Sequence, residues 1–214
     1  MDRETKMPAQ PRLILFTPIG GKTDNFTSLL ASVCRNVDVA ALILRTGTAD
    51  DEDIIASTRS ILAAAQDSGA ALLLEGHSQL AAKAGADGAH IAGLEAFRSA
   101  LPFLKPGRIA GAGALTTRHD AMTAGEAGAD YVMFGEPDAG KRPALDAIVE
   151  RIAWWAEIFE VPCVGFAANV DEVEIFVRAG ADFIALGDAV WSAPEGPVVA
   201  AGKIAGHLRT ERVG

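Results

Sequence analysis

The tetrapeptide Ala-Gly-Ala-Asp occurs three times, at Ala84–Asp87, Ala127–Asp130 and Ala179–Asp182, and each copy runs directly into an apolar segment. Glycine ends a helix at low steric cost in the left-handed conformation, so each copy predicts a helix stop followed at once by a strand. The three glycines lie 43 and 52 residues apart, about two strand–helix units each. A chain built on that period repeats one supersecondary unit along its length.

The rest of the sequence supplies the other units. Apolar runs stand at Leu13–Phe16, Val39–Leu44, Ala71–Leu74, Gly88–Ile91, Arg108–Ala112, Tyr131–Phe134, Pro162–Phe166 and Phe183–Leu186. They are continuous rather than alternating, the pattern of parallel strands covered by helices on the outside. Helical periodicity follows, as in Asp53–Ala65, in Arg118–Ala127 behind Thr117 as N-cap, and in Val170–Ala179 with Val173, Phe176 and Val177 on one face. Eight units in about 200 residues predict a (β/α)8 barrel, an α/β fold; an open doubly wound sheet is the competitor and usually has fewer strands. On this count the repeated aspartates open strands 4, 6 and 8. That is the end of a barrel that carries stability rather than chemistry.

No linker divides the chain. Residues 12–214 are expected to form one barrel domain, with residues 1–11 a loose tail, Arg209–Gly214 a fraying end and Ser192–Pro197 a turn before the last helix. With 28 acidic against 19 basic residues the formal charge is −9, which argues against a nucleic-acid partner. No apolar run is long enough to span a membrane, and the N-terminus has no apolar export core. Cys34 and Cys163 are far apart with no metal-binding spacing. Two isolated thiols fit a reducing cytoplasm.

Chemistry in such a barrel sits where the strands end. Reading those positions gives Arg45, Lys141 and Lys22 as candidate cations for an anionic ligand, and Glu75, Glu95, Glu136, Asp138 and Asp188 as an acidic set around the same mouth. Arg45 and Glu75 are placed either to pair with each other or to face a ligand. His77 and His119 read as solvated and His90 as a hydrogen-bonded core residue. Trp154 and Trp155 read as packing or as the surface of a homo-oligomer. Gly20-Gly21-Lys22 lacks the spacing and the hydroxyl of a P-loop.

The segments Ala81–Gly93, Ala127–Pro137 and Arg178–Val190 resemble the thiamine phosphate synthase family, which includes the thiazole tautomerases. The resemblance implies a (β/α)8 barrel that joins an aminopyrimidine diphosphate to a thiazole phosphate, releasing pyrophosphate with the help of Mg2+. It implies Arg45 and Lys141 as catalytic and diphosphate-binding cations, and Glu95 with Glu75 as metal ligands. Substrate contacts are implied at Glu75, at Gly113 in place of a serine, at Ala167 and Ala168 in place of a Gly-Gly phosphate turn, and at Asp188 in place of a second serine. The tautomerase histidine falls at Leu115. These departures imply weakened or altered catalysis, and the alternative is a non-catalytic barrel that binds a metabolite or a protein.

Overall fold

The computed structural model describes residues 10–20, 24–136 and 141–210. Its eight strands are β1 (Arg12–Phe16), β2 (Val39–Leu44), β3 (Ala71–Glu75), β4 (Gly88–Ala92), β5 (Ile109–Gly113), β6 (Tyr131–Phe134), β7 (Cys163–Phe166) and β8 (Phe183–Leu186). They pair in sequence order, all parallel, and β8 closes on β1 as a barrel. The expected (β/α)8 fold is the one observed. Nine helices surround it among the described residues: α1 (Asp24–Asn36), α2 (Asp51–Ser68), α3 (Ala81–Ala84), α4 (Leu94–Leu104), α5 (Arg118–Glu126), α6 (Leu145–Ile158), α7 (Asp171–Arg178), α8 (Asp188–Trp191) and α9 (Pro197–Thr210).

Several boundaries move for local reasons. Arg108 and Pro162 lie outside β5 and β7. Helix α2 is longer than Asp53–Ala65 at both ends. Asp50 caps it by accepting the Asp53 N–H, three acidic residues fill its first turn, and Gly69 ends it at φ 75°. Thr117 caps α5 as expected, within a capping box completed by Asp120. Pro197 opens α9 rather than closing the preceding turn, the position where its missing N–H costs nothing. Arg209 lies inside α9 rather than in a frayed end. The expected tail falls on residues of which only 10 and 11 are described, and Lys22, Asp138 and 211–214 lie outside the described residues.

The repeat explains itself at atomic level. Gly85, Gly128 and Gly180 all have positive φ. The alanine after each donates its N–H back five residues, to Ala81, Ala124 and Phe176, which closes the helix in a Schellman turn. The aspartate that follows then makes a reciprocal pair with the neighbouring strand. Asp87 Oδ2 accepts the Leu72 N–H at 2.8 Å, Asp130 Oδ2 the Ala110 N–H at 2.7 Å, and Asp182 Oδ2 the Cys163 N–H at 2.9 Å. Each aspartate N–H returns a bond to the carbonyl of that same residue. Three amides at the start of β3, β5 and β7 are thereby satisfied at the stability end.

Side chains alternate about the strands. Leu13, Leu15, Leu42, Leu72 and Leu74 face the helices in one core, while Ile14, Phe16, Ile43, Leu73, Tyr131, Met133, Val164 and Ala185 fill the barrel. Towards the C-terminal ends of the strands this apolar filling gives way to polar groups, and the site begins there.

Candidate active site

Two glycines on β5 make room for the polar layer. A Cβ at Gly111 would overlap the Tyr131 ring, and one at Gly113 would overlap Glu136 Oε2 and His90 Nε2. In the space so left, His90 Nδ1 lies 2.8 Å from the Tyr131 hydroxyl and its Nε2 2.9 Å from Glu136 Oε1. Glu136 Oε2 also accepts the Ala114 N–H at 3.0 Å. His90 is 1% exposed, so the expectation of a hydrogen-bonded core histidine holds. Gly113 serves this pair from below and is not among the residues lining the cavity.

Above the layer opens a cavity of about 380 Å³ whose lining includes Phe16, Arg45, Glu75, Glu136, Phe166 and Asp188, with Ala167 and Ala168 at its edge. A site of this size accommodates a small heterocyclic ligand. The rings of Phe16 and Phe166 meet edge to face with centroids 5.4 Å apart. Arg45 is anchored through its backbone, whose N–H donates to the buried Thr17 hydroxyl at 3.0 Å. Its guanidinium reaches Asp188 at 3.6 Å, a long ion pair to a carboxylate that is 68% exposed. Its Nε is buried without a hydrogen-bond partner among the described residues. Glu75 is not hydrogen-bonded to it. Burial pushes the Glu75 carboxyl above its ordinary pKa and Glu136 adds to the rise, while Arg45 and the histidines draw it back. Burial likewise holds the Tyr131 hydroxyl well above the usual phenol range.

The structure therefore brings Arg45, Glu75, Asp188, Ala167 and Ala168 together. It does not bring Lys141 to them. Lys141 lines a neighbouring cavity of about 580 Å³ with Arg142, Arg151, Thr116 and Met133, and Glu136 stands between the two spaces. Arg45 and Lys141, expected as cations around one mouth, thus line two adjacent cavities that share Glu136. Glu95 lies in the first turn of α4 and lines a third cleft with Asp120. Glu75 and Glu95 line different clefts, and no group of three His, Cys, Asp or Glu able to hold a metal occurs among the described residues.

Two charged residues beside the cavity are not distinguished by the sequence. Arg142 grips the Glu172 carboxylate with two bonds of 3.0 and 2.6 Å and donates to the carbonyls of Gly135 and Phe166, tying the ends of β6 and β7 to α7. Glu172 Oε2 also accepts the Ala168 N–H at 2.8 Å. In the sequence Glu172 looks like an ordinary acidic residue in the first turn of a helix, and its neighbours give no sign that it is buried. Trp155 and both cysteines are buried. The Trp155 indole N–H donates to the Val161 carbonyl, and Trp154 lies under Arg118, so both rings have partners within the chain. The Cys163 thiol is pushed up to about 12, chiefly by burial, which leaves it inert.

A closed parallel barrel with a polar cavity at the C-terminal end of its strands defines the class of (β/α)8 barrels. The model of the thiamine monophosphate synthase family matches residues 13–190, and the chain belongs to that family. It is 37% identical to the thiamine-phosphate synthase of Rhodospirillum centenum, over 88% of this chain and 93% of that one. It is 36% identical to the thiamine-phosphate synthase of Hyphomonas neptunium, over 90% and 93%. Among solved structures it superposes on thiamine phosphate pyrophosphorylase from Pyrococcus furiosus with a TM-score of 0.78, covering 96% of this chain and 98% of that one at 20% identity. Orotidine 5′-phosphate decarboxylase from Pyrococcus horikoshii follows at TM-score 0.67 and 17% identity, covering 92% and 99%, a likeness of fold alone. No helix among the described residues is long and apolar enough to cross a membrane.

Proposed function

We propose that this chain carries out the thiamine phosphate synthase reaction in weakened form, joining an aminopyrimidine diphosphate to a thiazole phosphate in the cytoplasm. The bond between the pyrimidine methylene and the diphosphate oxygen breaks with its electron pair leaving on pyrophosphate. The thiazole nitrogen then forms the new C–N bond with its own lone pair. The observation that carries this reading is Arg45, a half-buried cation anchored through Thr17 and aimed into the cavity over the barrel.

Arg45 turns from Asp188 to the diphosphate, a change that the 3.6 Å separation of the pair makes inexpensive. The Phe16 and Phe166 rings exclude water from the methylene carbon, and the carboxylates of Glu75 and Glu136 face the positive charge that develops there. Weakening follows from the same lining: one arginine and three carboxylates face the cavity, an adverse balance for a departing diphosphate.

The test is a condensation assay with both substrates and Mg2+ in solution, following thiamine phosphate. Slow product formation is expected, falling on the order of a hundredfold in Arg45→Ala, the usual scale for losing one charge-stabilising group. A wild-type protein that forms no product contradicts the reading. It would favour a non-catalytic metabolite-binding barrel, for which the Arg45–Asp188 pair is the supporting observation.

A further inference from the structure

Glu136 lies where two cavities meet, and both of its carboxylate oxygens are fastened. Oε1 lies 2.9 Å from His90 Nε2, and Oε2 accepts the Ala114 N–H at 3.0 Å. Ala114 leaves β5 at φ 48°, alone among the described non-glycine residues in having a positive φ. That conformation is strained for a residue with a Cβ. His90 is fixed in its turn. Burial keeps the Tyr131 hydroxyl protonated, and His90 Nδ1, at 2.8 Å, is the one hydrogen-bond partner it has among the described residues. Tyr131 therefore donates to Nδ1, and Nε2 carries the proton that Glu136 accepts. The imidazole also stacks on the Tyr131 ring and meets Phe16 edge to face, with centroids 5.7 and 5.6 Å apart. Tautomer, imidazole plane and carboxylate are set before any ligand arrives.

A carboxylate offers about four acceptor sites, and these two donors leave the others open to a ligand in the cavity that Glu136 lines with Phe16, Phe166 and Arg45. What an acceptor-only group recognises is a donor. The exocyclic amine of an aminopyrimidine is one, since its lone pair is delocalised into the ring and only its N–H groups are offered. Glu75, the carboxyl nearby, suits this task less well, because burial favours its protonated form. We propose that Glu136 is the specificity-determining residue for the aminopyrimidine, accepting a hydrogen bond from its exocyclic amine, and that His90 and Tyr131 are positioning residues that act through it. The identity of the ring rests on the condensation proposed above. As the bond between methylene and diphosphate oxygen breaks, positive charge spreads through the ring to the amine nitrogen. Its N–H becomes a stronger donor, so the contact with Glu136 strengthens in the transition state. No proton leaves the amine, and the bonds broken and formed are those already given.

The experiment measures, by calorimetry without thiazole and with Mg2+ in solution, the binding of the aminopyrimidine diphosphate and of its deamino counterpart. Wild-type protein is expected to bind the amino ring at least about tenfold more tightly, because the deamino ring leaves a charged acceptor unpaired. Glu136→Gln keeps the size of the side chain with a single acceptor oxygen, and is expected to remove most of that preference. Tyr131→Phe, which deletes only the hydroxyl, is expected to lower it by less. A purely structural defect weakens both ligands together and leaves their ratio where it was. Equal binding of the two rings by a wild-type protein that still condenses its substrates overturns this inference alone. Binding of neither ring overturns it together with the condensation reading. A ratio unchanged in Glu136→Gln overturns the assignment to Glu136, and one unchanged in Tyr131→Phe overturns the positioning role of the buried pair.

Discussion

The two ends of this barrel use the same device for opposite purposes. At the end where strands begin, Asp87, Asp130 and Asp182 each satisfy one backbone N–H of the neighbouring strand, in three near-identical copies. At the end where strands finish, Glu136 and Glu172 also satisfy backbone N–H groups, those of Ala114 and Ala168. There, however, each carboxylate is tied to a different partner, His90 in one case and Arg142 in the other. The repeated end answers a geometric need that recurs with every second strand. The unrepeated end places carboxylates where they set the charge of a cavity. Periodicity therefore separates scaffold from site among residues of one chemical type.

Removing single carboxylates should break this contrast unevenly. The largest effect is expected for Glu172→Ala, which strands the Arg142 guanidinium in a partly buried site; a loss of about 3–5 kcal/mol should appear as a Tm fall on the order of 10 °C. A fall no larger than that of an exposed surface substitution would mean that the Arg142–Glu172 pair is not structural. Next comes Gly113→Ala. The added methyl would displace Glu136 or His90, and overpacking of this kind costs up to about 3 kcal/mol. Urea unfolding would read the cost, and a neutral result would show that the His90–Glu136 contact is dispensable.

At the repeated end, Asp182→Ala leaves the buried Cys163 N–H without its acceptor. The penalty for one unsatisfied donor is about 1–3 kcal/mol, with no change in the KM of either substrate of the condensation. An altered KM in that variant would join the two ends and defeat the comparison. The smallest effect concerns Glu75. Its folded pKa is raised, chiefly by burial, so the folded state holds its proton more tightly than the unfolded state. The stabilisation is present below the ordinary carboxylate pKa of about 4.3 and is lost as pH rises through the higher folded value. Glu75→Gln should flatten that decline in a series of denaturation midpoints across mild acid. An identical pH profile in the variant would contradict the burial argument.

Legibility in the sequence followed the range of the interactions. The eight strands, the Thr117 cap and the helix stops at Gly85, Gly128 and Gly180 depend on neighbours within a few residues, and they stand where local chemistry places them. Arg45, Glu75 and Asp188 could also be brought together from sequence, because closure of the barrel sets their strand ends side by side. Lys141 could not be placed, since whether it shares that space depends on the Glu136 side chain between them. Gly113 looked like a lost serine. Its meaning, room for the pair of His90 and Glu136, exists only once these two residues, 46 positions apart in the chain, are packed against it, as the overlap of a Cβ there shows. Arg142 and Glu172, 30 residues apart, were hidden for the same reason.

Where a phosphorylated ligand sits is tested most directly by a crystal structure of the protein grown with the aminopyrimidine diphosphate. The diphosphate is expected beside the Arg45 guanidinium in the upper cavity, with Asp188 released and the Glu172 carboxylate still on the Ala168 N–H. A phosphate group bonded to the Ala168 N–H, with Glu172 turned away from Arg142, would contradict that placement.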